Sequence, residues 1–96
     1  MHAIVRTYSG KGAKELFDLL EKRKADVEKL MRTVTGFSNY ALIRTADGGV
    51  SVTVCKDKAG TDESLKKAKE WIKEHAANTG VGAPTVLEGA VLLHVK

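Results

Sequence analysis

Residues 47–55, DGGVSVTVC, decide the fold that the sequence predicts. Valine occupies every second position, 50, 52 and 54, and small polar side chains and the single cysteine alternate with it. A period of two is typical of a strand whose two faces meet different surroundings. The preceding segment FSNYALIRTA is also rich in strand-forming residues, and Asp47-Gly48 favours a type I′ turn between the two segments. Residues 37–55 are therefore predicted to form a β-hairpin.

This turn predicts a register and, with it, two faces. If Asp47 and Gly48 are the two turn residues, Ala46 lies opposite Gly49, and directly opposed residues share a face. One face then combines the three valines with Ala41, Ile43 and Thr45. The other face combines Arg44 with Ser51, Leu42 with Thr53, and Tyr40 with Cys55. Because the valine face is the more apolar, we expect it to lie under helices and the other face to stay open.

The rest of the chain supplies two more strands and two helices. A first strand is expected from His2 to Tyr8, and apolar residues recur at helical spacing from Ala13 to Val34. Thr61 is the expected N-cap of a second helix, and residues 86–95 read as the last strand. The order βαββαβ predicts an α+β, ferredoxin-like domain with a four-stranded antiparallel sheet and two helices on one face. The last strand would lie at the edge beyond the first.

The open face of this predicted sheet is too apolar to remain in water. Alternation along the strands assigns to it arginines, tyrosines and aliphatic side chains together: Ile4, Arg6, Tyr8, Tyr40, Leu42, Arg44, Thr53, Cys55, Leu92 and His94. An exposed patch of this kind usually marks an interface. A second copy of the same sheet would cover the aliphatic side chains and offer partners to the polar ones, so we expect a homodimer through the sheet face.

The length and composition of the chain limit its domain number, its location and its possible partners. Ninety-six residues, 1–96, are expected to form one domain, and no apolar run is long enough to span a membrane. The start of the chain does not read as a signal peptide, and a single cysteine fits a reducing compartment, so the expected location is the cytoplasm. The net charge of +4 gives a mild preference for anionic ligands. No nucleic-acid partner is expected, because VSVTVC offers no aromatic side chain for base stacking.

The element order, the DGGVSVTVC hairpin, the helix SLKKAKEWIKEHA and the closing strand after GAPTVLEG carry a resemblance to a known superfamily. The chain resembles the dimeric α+β barrel proteins, which include antibiotic-biosynthesis-monooxygenase-like and stress-responsive barrel domains, and especially their small bacterial members. The resemblance implies two sheets facing each other across a two-fold axis, with ligands between sheet and helices or inside the barrel. Members of the superfamily oxidise aromatic polyketides without a metal, degrade heme or isomerise lactones.

The reactive side chains of the sequence do not form a recognisable catalytic arrangement. Trp71 and His75 lie one helical turn apart, but this spacing is not that of the heme-degrading members. We expect Trp71 to pack at the flank of the helix and His75 to lie near the helix C-terminus, where the helix dipole favours its charge. Cys55 is expected to be an inert buried thiol, because His94 would lie two strands away. His2 and His94 would lack a third metal ligand. We therefore predict no catalytic residues, no metal site and no cofactor.

Two functions remain open from the sequence. The favoured one is a non-catalytic homodimeric barrel that binds a small anionic or aromatic molecule or serves as a structural module. The alternative is a cofactor-independent monooxygenase or isomerase acting on a small aromatic or enolisable substrate. For Arg44, a salt bridge across the dimer, with Glu88 as partner, competes with a ligand contact. The candidate ligand-binding residues are Arg6, Tyr8, Tyr40, Arg44, Thr53 and His94.

Overall fold

A computed structural model describes residues 1–95. Its four strands, all paired antiparallel, form one sheet in the order β2-β3-β1-β4, with three α-helices packed on one face. The expected α+β, ferredoxin-like architecture is confirmed, including the position of the last strand beyond the first. The elements are β1 (His2–Ser9), α1 (Ala13–Lys22), α2 (Lys24–Arg32), β2 (Phe37–Thr45), β3 (Gly48–Cys55), α3 (Lys58–His75), a 3-10 turn (Ala77–Thr79) and β4 (Thr85–Ala90).

The first helical segment is two helices rather than the single helix predicted. Arg23 leaves helical geometry at φ −108° and ψ 23°, and α2 starts again at Lys24. A straight helix would have carried Lys24 on the apolar stripe, whereas the break leaves that lysine exposed while Val27 and Met31 are buried. The second predicted helix starts earlier than expected, because Asp57, not Thr61, caps α3 by accepting a bond from the Gly60 N–H at 3.2 Å.

The hairpin exists, but its register differs from the prediction by two residues. Thr45 pairs with Gly48 and Arg44 with Gly49, so the turn residues are Ala46 and Asp47. Gly48 is the first residue of β3, with φ 156°, and a Cβ there would collide with the Tyr8 carbonyl oxygen. A shift of two leaves every side chain on the same face as its predicted companions. The grouping of side chains into two faces was therefore right.

The side of the sheet that the helices cover was assigned wrongly. Ser51, Thr53 and Cys55 are fully buried under the helices, together with Ile4, Arg6 and Tyr8. The valine face is the open one, where Val5, Val50 and Val52 remain half-exposed and Ile43 and Leu87 are exposed.

Close packing explains why the less apolar face takes the helices. A Cβ on Gly49 would strike the Phe17 ring of α1, and a Cβ on Gly60 of α3 would strike the Cys55 side chain. Small side chains on β3 let the helices approach the backbone, whereas a row of valines would hold them away. The buried core is then completed by larger side chains that surround these close contacts: Tyr8, Leu16, Phe17, Leu20, Val27, Met31 and Trp71.

The last strand is shorter than predicted. It ends at Ala90, after which the Val91 N–H still donates to the Met1 carbonyl at 3.0 Å. The following residues leave the sheet, and His94 Nε2 lies 3.1 Å from Asn39 Oδ1 at the start of β2. The assignment of residues 91–95 to alternating strand faces was therefore wrong. The segment crosses the end of the sheet from the β4 edge to the β2 edge, with Leu92 98% and Leu93 80% exposed.

Within residues 1–95, none of the helices combines the length and the apolar content that a bilayer span requires.

Candidate functional site

A narrow cavity lies between the helix-covered face of the sheet and the three helices. Its free volume is about 20 Å³, enough for a single water-sized molecule. Most of its wall is apolar and comes from the helices and from the β2 edge of the sheet: Phe17, Leu20, Val27, Leu30, Met31, Leu42, Ala68, Trp71 and Ile72. A mostly apolar, concave wall is the usual setting of a small-molecule site.

The sheet side of the cavity is polar. Arg6 from β1, Tyr8 from β1, Tyr40 from β2 and Ser51 from β3 line it. Arg6 Nη1 donates to Tyr8 Oη at 3.2 Å. Within residues 1–95, neither Arg6 Nε nor Ser51 Oγ has a hydrogen-bond partner, although both atoms are buried. The cavity therefore has a polar floor, Arg6, Tyr8, Tyr40 and Ser51, that keeps unused hydrogen-bonding capacity.

Tyr40 stays protonated on this floor at neutral pH. Burial raises its pKa above the usual 10.0, and the positive charge of the nearby Arg6 only partly opposes this rise. A neutral phenol can donate a hydrogen bond, so Tyr40 can supply an O–H to an oxygen placed beside Arg6.

An open bowl between α2 and β2 adjoins the cavity. The bowl has a volume of about 410 Å³ and shares Val27, Met31, Tyr40 and Leu42 with the cavity wall. Asn39, the hydrogen-bond partner of His94, lies at its rim. Because α2 covers the inner cavity and borders the bowl, an outward movement of α2 would join the two spaces. The bowl is the natural access route to the polar floor.

Trp71, the only tryptophan in the chain, forms part of the cavity wall. The Arg23 guanidinium lies 5.8 Å from its ring centroid, and the His75 ring lies 4.8 Å away. These contacts hold the indole at the junction of α1, α2 and α3. Trp71 is therefore an intrinsic spectroscopic reporter of the cavity.

The six candidate ligand-binding residues fall into two groups. Arg6, Tyr8 and Tyr40 come together on the floor of the cavity. Thr53 is on the same face of the sheet but is completely buried and does not border the cavity. Arg44 lies at the β2 edge of the sheet, paired with Asp18 at 3.1 Å and Glu21 at 3.0 Å. His94 lies on the C-terminal tail, residues 91–95, and is hydrogen-bonded to Asn39 of β2.

The intersubunit pairing that the sequence suggested for Arg44 is not what the structure contains. Its two carboxylate partners, Asp18 and Glu21, belong to α1 of the same chain. Glu88 instead contacts Lys58 at 3.1 Å and lies 3.7 Å from His2. Arg44 thus ties the β2 edge to α1 and takes no part in the cavity.

Two residues of the cavity were not recognised as site residues from the sequence. Ser51 was grouped with the correct side chains but was not among the candidate ligand-binding residues, although it lies directly opposite Arg6 in the β1–β3 register. Trp71 was interpreted as a packing residue. Both would have been found if the helices had been assigned to the serine-bearing face, because Arg6 and Ser51 would then have met the apolar stripes of the helices.

Other reactive groups are held in ordinary structural contacts. Cys55 is buried, and burial raises the pKa of its thiol above 9.0, which disfavours the nucleophilic thiolate. His2 Nδ1 lies 2.8 Å from Thr61 Oγ1, and Thr61 is fully buried. In the described part of the chain, no three His, Cys, Asp or Glu side chains are grouped to hold a metal ion.

Several solved structures share this fold. A protein of unknown function from Nitrosomonas europaea, NE2512, superimposes with a TM-score of 0.71 at 16% identity, covering 99% of this chain and 91% of that one. MhuD, a heme-degrader from Mycobacterium tuberculosis with two hemes bound in its active site, gives 0.64 at 23% identity, covering 99% and 98%. The monooxygenase ActVA-Orf6 from Streptomyces coelicolor, in complex with nanaomycin D, gives 0.60 at 18% identity, covering 97% and 91%.

No protein-family model and no curated protein matches the sequence. The likeness therefore concerns the fold alone, and the fold that the sequence resemblance implied is confirmed. The sequence identities are too low to carry an activity from any of these proteins to this chain.

Proposed function

We propose that the protein is a homodimeric module that binds a small, largely apolar molecule in the cavity between its sheet and its helices. The observation that carries this proposal is the polar floor, where a buried arginine with an unused N–H lies beneath apolar walls. Core packing alone would place apolar or fully bonded side chains there. The proposed location is the cytoplasm, where the free thiol of Cys55 would stay reduced.

The open sheet face supports the homodimer. Val5 and Val52 pair directly in the two central strands, and the exposed Ile43 and Leu87 extend the apolar surface toward both edges. The tail adds exposed aliphatic side chains at one end of the sheet. A second copy would bury these side chains against an equally apolar face, as a self-complementary interface requires. One structure of the same fold is a dimeric ferredoxin-like protein from an uncultured marine organism, with a TM-score of 0.64.

The lining of the cavity favours binding over catalysis. Proton abstraction needs a base whose pKa lies near the working pH. None of the described residues that line the cavity is an aspartate, a glutamate or a histidine, and the raised pKa of Tyr40 makes its phenolate scarce. The floor can hold an oxygen atom but offers no acceptor for a substrate proton.

Tryptophan fluorescence tests the binding proposal. A panel of small aromatic and alicyclic acids, amides and alcohols would be screened by thermal shift, and each hit would then be titrated while Trp71 emission is recorded. We expect at least one hit to change the emission saturably, because Trp71 borders the cavity. Hits that raise the melting temperature without changing Trp71 emission would contradict binding in this cavity.

A cofactor-independent monooxygenase or isomerase is the second candidate, and the pair of Arg6 and the protonated Tyr40 is the observation in its favour. Two donors beside one another could stabilise an enolate oxygen. Deuterium exchange into 2-tetralone, an enolisable aromatic ketone, tests this function by mass spectrometry in D₂O. Exchange no faster than in buffer would exclude it for this substrate class, whereas acceleration abolished by Arg6→Met would favour it over simple binding.

Heme does not fit the residues as they are arranged. The three histidines contact Thr61, Trp71 and Asn39 respectively, and none of them lines the cavity. The heme-bound structures of the same fold therefore do not define the ligand of this chain.

A further inference from the structure

Arg6 is a buried cation without a counter-ion in the described chain. Arg6 is 2% exposed, and its one side-chain hydrogen bond to a described residue goes to the Tyr8 hydroxyl, which is not a carboxylate. The guanidinium forms no ion pair with any of residues 1–95. A guanidinium keeps its charge in proteins. Burial of an unpaired charge is among the most costly features a fold can contain. An anionic ligand would supply the counter-charge that residues 1–95 do not provide for Arg6.

A second subunit cannot provide this anion through the proposed interface. Val5 and Thr7, the neighbours of Arg6 along β1, point to the open face, whereas Arg6 points to the helices. A partner docked on the open face would be separated from the guanidinium by the sheet itself. The cavity is the remaining approach, and it leads outward through the bowl between α2 and β2.

The walls and the floor of the cavity together define the chemistry of a ligand. Leu20, Val27, Met31 and Trp71 offer an apolar slot, which suits a flat hydrocarbon body. Arg6 can bind a carboxylate through two parallel N–H groups. Tyr40 and Ser51 can donate to the same oxygens, since the Tyr40 phenol stays protonated and Ser51 Oγ is unengaged by the described residues.

We infer that the ligand is an aromatic carboxylic acid whose carboxylate binds Arg6 and whose ring system lies against Trp71. This inference rests on the proposed binding function and adds the charge of the ligand to it. The current free volume is too small for such a molecule, so binding requires α2 to move outward toward the bowl.

A matched pair of probes separates the charge from the shape of the ligand. 2-Naphthoate and 2-naphthamide have the same ring system, and isothermal titration calorimetry would measure both against the wild-type protein. We expect 2-naphthoate to bind at least about tenfold more tightly, in keeping with a charge-assisted bidentate contact. Equal affinities would overturn the inference about charge and leave small-molecule binding intact. Failure of both probes to bind would overturn the inference of an aromatic acid, whereas the binding proposal itself is decided by the panel titrated against Trp71 emission.

Two variants locate the effect. Arg6→Met removes the charge and keeps an apolar side chain of similar length, and we expect it to abolish the preference for 2-naphthoate while the melting temperature stays equal or rises. Arg44→Met is the control, because Arg44 lies on the same face of the sheet but is paired with Asp18 and Glu21 outside the cavity. Loss of the preference in the Arg44 variant, or its retention in the Arg6 variant, would contradict the role of Arg6.

Discussion

Thr53 and Val52 are adjacent in β3 but meet opposite surroundings. Thr53 is fully buried under the helices, whereas Val52 is half-exposed on the open face. We expect Thr53→Asp to unfold the protein, because burying an unpaired carboxylate costs several kcal/mol, comparable to the stability of a small domain. Val52→Asp should keep the fold of the subunit. Urea denaturation followed by circular dichroism measures both.

Thr53→Val is the matched control for this pair. Within residues 1–95, Thr53 Oγ1 has no hydrogen-bond partner, so the hydroxyl bears a desolvation cost of about 1–3 kcal/mol with no compensating bond. The valine variant should be at least as stable as the wild type. If Val52→Asp unfolded the subunit and Thr53→Asp did not, the assignment of the helices to the Thr53 face would be wrong.

Tyr40 makes stability depend on pH at the alkaline end. Burial raises its pKa in the folded state above the usual 10.0, so the folded protein holds its proton more tightly than the unfolded chain does. The stabilisation from the neutral phenol is complete below about pH 10 and is lost as pH rises through the folded-state pKa. A Tyr8→Phe variant leaves Tyr40 as the one tyrosine and removes the smaller upward contribution that Tyr8 makes to its pKa. The ultraviolet titration of Tyr40 then tests burial against Arg6, and its midpoint should be above 10 because burial is the largest cause. A midpoint at or below 10 would mean that Arg6 outweighs burial.

At the residue scale, the sequence predicted which side chains share a face but not what covers that face. Ile4, Arg6 and Tyr8 were grouped correctly with Tyr40, Leu42, Ser51 and Thr53, because alternation depends only on backbone geometry. The choice of side was made on hydrophobicity, and hydrophobicity alone does not distinguish a valine row under a helix layer from one under a second sheet. Volume decided the outcome, since small side chains on β3 admit the helices.

Among the three α-helices, α2 has the fewest contacts with the sheet, and its C-terminal end is held by α3. Lys67 Nζ donates to Thr33 Oγ1 at 2.7 Å and pairs with Glu63 at 3.0 Å, while Glu63 accepts from the Thr35 N–H at 3.2 Å. Lys67 and Thr35 lower the pKa of Glu63 below 4.5, so the carboxylate stays charged well into the acid range. These contacts between Lys67, Glu63, Thr33 and Thr35, here called the α2–α3 contacts, hold the C-terminal end of α2 against α3 and so keep α2 over the cavity.

Removal of the α2–α3 contacts should increase the local opening of α2 and leave the strands unchanged. We expect Lys67→Ala to speed amide hydrogen exchange in residues 24–32 by up to about fivefold, since partly exposed ion pairs contribute less than about 1 kcal/mol. Lys66→Ala, which removes an exposed lysine one position earlier, is the control. An equal change in the strands, or none in α2, would show that Lys67 does not hold this helix. Mass spectrometry of the exchanged peptides gives the answer.

At the element scale, periodicity located the helices and strands, whereas the boundaries followed local contacts that the pattern does not contain. The break at Arg23 removes Lys24 from the apolar stripe, and the early start of α3 depends on the Asp57 cap. The tail was predicted as strand because Val91, Leu93 and Val95 alternate with other residues. Beyond the Val91 N–H, those residues leave β1 and cross toward Asn39.

For the whole molecule, the valine face leads to an expected dimer. Static light scattering should give twice the subunit mass of 10.4 kDa at micromolar concentration. Val5→Lys places a charge in the centre of the open face and should give a folded monomer, because charges are unfavourable in the core of an interface. Ala25→Lys adds the same charge to the exposed side of α2 and should leave the dimer intact. A monomeric wild-type protein would contradict the proposed assembly.

The sequence predicted a dimer for a reason that still applies, although the helices cover the opposite face of the sheet from the one predicted. Both faces carry aliphatic side chains, Ile4 and Leu42 on one and Val5 and Val52 on the other. The helices cover the first face, and we expect a partner subunit to cover the second. The cavity could not be predicted in the same way. It depends on the position of Arg6, Tyr8 and Tyr40 under helices that the sequence had placed on the other side.

The central claim is that ligands bind on the helix side of the sheet and a second copy binds on the valine side. Methyl NMR of the protein titrated with 2-naphthoate tests it most directly. We expect saturable shifts for the cavity methyl groups of Leu20, Val27 and Met31, with little change for Val50 and Val52 on the opposite face. Saturable shifts confined to Val50 and Val52 would contradict the claim.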